Sequence, residues 1–176
     1  MAQDTIKCYD TPSDVVAALA EDFIAFTSEE ISRTETCIVG ITGGTVINGL
    51  LETLNSAEYI ERVNWERIFF VWTDERFLPQ SHEDNYFNRV KPYLLCKAKG
   101  AAHFFPINTN SKTVIEAADE YEKEIGNVLK ACKKSGLDLA ILDLGEDGHT
   151  AGLFAGSHAL RVADRNVVPV EDGKVW

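Results

Sequence analysis

Three short segments carry the residue types that chemistry needs. The most concentrated is Gly145-Glu146-Asp147-Gly148-His149-Thr150. Histidine titrates near neutral pH and can take a proton from water. An acid two residues earlier, Asp147, is close enough in a tight loop to orient the imidazole. This predicts His149 at the centre of an active site for a small anionic substrate. His82, His103 and His158 have no comparable surroundings and read as structural.

A second segment is Thr42-Gly43-Gly44-Thr45. Paired glycines let the backbone approach a ligand closely or adopt positive φ, and a helix starting there aims free N–H groups outward as a phosphate cradle. A plain strand-to-helix turn with Thr45 as N-cap is an equally good reading of this loop alone. The third is Thr73-Asp74-Glu75-Arg76. Arg76 suits a phosphate or carboxylate through two parallel hydrogen bonds. Asp74 or Glu75 would orient it or act as acid or base, and an exposed loop with a local ion pair is the bland alternative. Further on, Asp84 or Asn85 is expected to cap the helix that follows.

The elements that must position these loops are legible from periodicity. Thr11-Pro12-Ser13-Asp14 starts a helix with a hydroxyl cap, Pro at the first position and an acid at the third, running to about Ser32. Buried strands are expected over 36–41, 67–72 and 137–144, with weaker ones at 103–107 and 166–170. Helices are expected from Thr45 to about Leu54, from Asp84 to Leu95 around Pro92, and from Lys112 to Lys134 with Gly136 as the C′ residue. Strands alternating with helices imply a three-layer α/β fold, a mostly parallel sheet with helices on both faces. Ligands in such sheets bind beyond the carboxyl ends of the strands, where all three loops fall.

Bulk properties narrow the partners. The 176 residues suit one domain, with 45% hydrophobic and 26% charged residues. A net charge of -11 argues against nucleic acid and anionic membrane, but not against a small anion held by local donors. Cys8, Cys37, Cys96 and Cys132 form no C-x-x-C pair and are expected to be reduced thiols. The histidines lack metal-ligand spacing, so no metal site is expected. No apolar signal core or transmembrane-length run is seen, and cytosol is the expected location.

Taken together and in this order, the loops resemble those of the 6-phosphogluconolactonase family, within the wider group that includes glucosamine-6-phosphate deaminases and isomerases. The matching segments are Gly43-Gly44-Thr45, the run from Phe70 to Pro79, Asp84-Asn85-Tyr86, and the run from Asp138 to Phe154. The last is the most specific. The resemblance implies hydrolysis of 6-phospho-D-glucono-1,5-lactone without a cofactor, in the oxidative pentose phosphate pathway. It implies His149 as the base that activates water and Arg76 as a binder of the substrate's phosphate or acidic end. Gly43, Gly44 and Thr45 would form the backbone cradle, with Asp74, Asp147 and Gly148 shaping the pocket. A δ-lactone is an activated ester, so a positioned base and oxyanion donors suffice without a covalent nucleophile.

Two departures accompany the resemblance. Thr45 stands where the family usually has serine, which keeps the hydroxyl. The chain also ends at Trp176, whereas the family continues through further strand and helix, so residues 1–176 are expected to form one domain lacking its C-terminal portion. Such a sheet would expose an edge open to self-association. Two alternatives stay open: a non-catalytic sugar-phosphate binder, and a deaminase or isomerase. Arg76 after the acid pair, and Thr150 to Phe154 after the histidine, favour the lactonase over the latter.

Overall fold

The computed structural model describes residues 5–95 and 102–170. Helix α1 (Pro12–Thr34) opens as its sequence requires: Thr11 is extended and its hydroxyl accepts the Asp14 N–H. Strand β1 (Cys37–Ile41) is buried along its whole length. Then come α2 (Thr45–Leu54), β2 (Ile68–Trp72), α3 (Tyr86–Leu95), β3 (His103–Phe105), α4 (Val114–Ala131) and β4 (Leu139–Ile141). All pairings are parallel, in the order β3-β2-β1-β4.

The burial of β1 follows from that order, since it has a neighbour on each side and helices on both faces. Alternation along β2 sorts the packing. Phe70 stacks on Phe23 of α1, and Trp72 meets Phe87 of α3 edge-on, so this face carries the first helices. The chain steps from β1 to β2 to β3 in one direction and returns to β4. A right-handed crossover therefore puts α4 on the opposite face. Tyr121 of α4 fastens that layer to the strand ends. Its hydroxyl accepts the Trp72 N–H at 2.6 Å and lies 2.9 Å from the Phe105 carbonyl.

Several expectations need correction. The left-handed residue closing α4 is Lys133 (φ 56°), not Gly136. The N–H groups of Lys133 and Lys134 bond back to Lys130 and Leu129, the double bond of a Schellman turn. No strand forms over 166–170. The Glu122 carboxylate accepts the Asn166 and Val167 N–H groups at 3.0 and 2.8 Å and occupies the donors a ladder would use. The strand expected over 137–144 shortens to three residues, because Leu142 onward turns into the histidine loop. β4 lies at the sheet's edge, with Leu142 43% and Leu144 79% exposed.

Cys8, Cys37 and Cys132 are free thiols, and burial pushes Cys37 up to about 12. Cys96 lies outside the described residues. No described helix is long and apolar enough to cross a membrane.

Candidate active site

The three loops leave the carboxyl ends of β1, β2 and β4, on adjacent strands. After β1, the chain passes through Gly43 and Gly44 into α2; Gly44 is the extended cap position (φ 166°, ψ 172°) and Thr45 the first helical residue. Neither glycine takes the left-handed conformation, which corrects that part of the expectation. Thr45 is likewise not the N-cap. The glycines are required by close approach. A Cβ on Gly43 would lie 1.9 Å from the Tyr86 ring, and one on Gly44 would lie 1.7 Å from Asp143 Oδ2.

After β2 the charges separate in role. Glu75 is consumed by local structure: its carboxylate accepts N–H groups from Arg76, Tyr86 and Phe87 at 2.8, 2.8 and 2.9 Å. It therefore satisfies the first turn of α3, whose donors have no partner within the helix. Burial pushes the carboxyl up to about 7, against the pull of these three donors. Asn85, fully buried, completes the cap by accepting the Asn88 N–H at 3.0 Å. Arg76 pairs with Asp84 at 3.3 Å and lies over the Tyr86 ring at 5.0 Å. Asp74 turns the other way, to the hydroxyls of Thr42 and Thr73, and burial raises its carboxyl above the ordinary range.

After β4, the Gly145 N–H reaches the His149 carbonyl at 2.8 Å, and Gly148 takes the left-handed conformation (φ 84°). Asp147 Oδ1 accepts the His149 N–H and lies 2.5 Å from His149 Nδ1. The ring also rests on Phe154, centroids 4.6 Å apart, and passes so near Gly145 that a Cβ there would lie 2.3 Å from it. Thr150 Oγ1 donates to the Asp143 carbonyl at 2.9 Å. Gly152 brings the loop back beside Asp74, 3.9 Å from where a Cβ on Gly152 would sit.

Contacts thus join the three loops into one cluster: Gly43 to Tyr86, whose ring carries Arg76, Gly44 to Asp143, and Gly152 to Asp74. Asp143, Tyr86 and Thr42 belong to it although the sequence assigns none of them an individual site role. Asp143 lies inside an apolar run read as strand, Tyr86 read as a helical residue, and Thr42 as part of a glycine turn. The one available signal was the acid at 143, out of place in a buried strand. Among the described residues, no group of three His, Cys, Asp or Glu side chains has a metal-binding arrangement.

A parallel sheet in this strand order, with glycine, acid-arginine and histidine loops at one end, defines an α/β protein of the class in which ligands sit beyond the strand ends. A profile of the glucosamine-6-phosphate isomerases/6-phosphogluconolactonase family matches residues 10–175, and the chain belongs to that family. It is 29% identical over 181 residues to probable 6-phosphogluconolactonase 1 of Oryza sativa subsp. japonica, covering 97% of this chain and 60% of that one. With 6-phosphogluconolactonase 3, chloroplastic, of Arabidopsis thaliana the identity is 29%, covering 95% and 54%. The chain thus spans roughly half to six-tenths of these relatives' length. Among solved structures, the 6-phosphogluconolactonase of Trypanosoma brucei superposes with a TM-score of 0.76 at 23% identity, covering 98% of this chain and 73% of that one. That of Shewanella baltica also scores 0.76, at 22% identity, covering 90% and 65%. These two likenesses bear on the fold.

Proposed function

We propose that the chain binds and hydrolyses a phosphorylated sugar lactone, 6-phospho-D-glucono-1,5-lactone, with His149 activating water. The observation that carries this reading is the Asp147–His149 pair. An ionised Asp147 holds the proton on Nδ1 and leaves the lone pair on Nε2, the nitrogen that would accept a proton from water. Water then adds to the lactone carbonyl, and His149 returns the proton to the ring oxygen as the C–O bond breaks. The product is 6-phosphogluconate. Arg76 is the cation suited to the phosphate or the acidic end, and Gly43, Gly44 and Thr45 supply backbone donors at the start of α2. Asp74 and Gly148 shape the pocket. We place the reaction in the cytosol and in the oxidative pentose phosphate pathway. The relatives' names support the substrate class.

The test is lactone hydrolysis corrected for the spontaneous reaction, measured on this chain, on His149→Ala and on a C-terminally extended form. Loss of at least about 100-fold in His149→Ala is expected; full activity there would overturn the mechanism. Activity confined to the extended form would favour the binding-only reading. Ammonia release from glucosamine 6-phosphate would favour the deaminase.

A further inference from the structure

Resting on that reading of the site, we infer that Asp143 sets which anions the Gly43-Gly44-Thr45 cradle accepts, by holding a carboxylate at the start of α2 where a phosphate would bind. Asp143 lies two residues beyond β4, and its Oδ2 occupies the space that a Gly44 side chain would fill. Its position is set from the other side by the histidine loop. Thr150 Oγ1 holds its carbonyl, and the Leu144–Thr150 bridge fixes the next residue. α2 begins with no side-chain cap and no acid in its first turn, and the Asp143 carboxylate lies beside its positive end. Asp74 adds a second carboxylate on the neighbouring strand end, facing Thr42. Arg76, whose charge acts on Asp74, is shared with Asp84.

A phosphate dianion entering this cradle therefore meets a fixed negative charge before it meets the N–H groups. The same carboxylate can accept hydrogen bonds from sugar hydroxyls, so the cradle suits the polyol part of a substrate better than its phosphate. Arg76 is then left as the phosphate's main anchor.

Calorimetric titration of 6-phosphogluconate at fixed low salt and pH 7.5 tests this on the chain itself, Asp143→Asn, Asp143→Gly and Arg76→Ala. Removing the charge frees the cradle for the phosphate, and the repulsion relieved at about 5 Å from a dianion seated there should tighten binding about tenfold, while gluconate, which lacks the phosphate, should change by less than about threefold. The Asn variant keeps the side chain's shape and the Gly variant removes it, and either one, if folded by its thermal melt, decides the matter. Affinity within twofold of the parent, with Arg76→Ala still weakened, would overturn the role of Asp143 and leave the site standing. Binding that Arg76→Ala does not weaken, or no binding by any form, would overturn both.

Discussion

His149 is oriented by three neighbours that sequence distance places close by: Asp147, Gly145 and Phe154. On the proposed mechanism, replacing Asp147 by Asn keeps the shape but removes the charge that would fix the ring's tautomer. Turnover is expected to fall about 10- to 100-fold with KM little changed; steady-state kinetics on the lactone, background subtracted, checks it. The glycines make a separate prediction. Gly43→Ala drives a methyl into the root of the Tyr86 side chain, 2.6 Å from its own Cβ, where a turn of the ring gives little relief, and should cost about 1–3 kcal/mol in urea unfolding. Gly44→Ala meets only the end of the Asp143 side chain. Its cost should therefore be smaller and should largely vanish in an Asp143→Gly background, a coupling that a double-mutant cycle measures.

At the scale of elements, helix ends decide more than helix interiors. α3 is started by Glu75 from outside the helix, eleven residues before Tyr86. Glu75→Ala strands two N–H groups of its first turn and should destabilise the protein by about 1–2 kcal/mol. It should also weaken ligand binding through Tyr86 and Arg76. Unchanged stability by chemical denaturation would remove Glu75 from the capping role. α4 offers the opposite change. Lys133 holds a left-handed conformation that favours glycine, so Lys133→Gly should raise stability by about 0.5–1 kcal/mol.

Across the whole molecule, the end of the sheet away from the site is tied by Glu30, Lys134 and Asp138. Lys134 Nζ lies 2.5 Å from Glu30 and 2.8 Å from Asp138, and Asp138 accepts the Ile38 N–H. These join α1, the exit of α4, β1 and β4. The hydrogen bond from Lys134, then that from Arg33, lowers Glu30 to about 2. Its folded pKa is below its unfolded value of 4.5, so its contribution is complete above that value and is lost as the pH falls toward 2. Lys134→Met should cost about 3 kcal/mol at neutral pH and flatten the acid limb of the stability curve; unfolding free energies from pH 7 to 2.5 read both. The exposed Leu142 and Leu144 beside an edge of β4 that pairs with no strand among the described residues predict self-association, which Leu144→Lys should reduce in sedimentation experiments.

The sequence by itself determined the order of elements, the start of α1, the bounds of α2 and the three loops that gather at the strand ends. These depend on periodicity, capping chemistry and turn residues, all local in the chain. Asp147 beside His149 was legible for the same reason. What only the tertiary structure decided lies between residues far apart. The strand order β3-β2-β1-β4 seats Asp143 on Gly44 and Tyr86 on Gly43, about 100 and 43 positions along the chain. It gives Glu75 to the start of α3, and Glu122 to a segment whose apolar pattern reads as strand. A carboxylate takes whichever buried N–H groups the fold brings within reach, and local pattern does not carry that information. Hence the glycine pair is legible in sequence as a place of close approach, while the approach of the protein's own Asp143 and Tyr86 to it is decided by the fold.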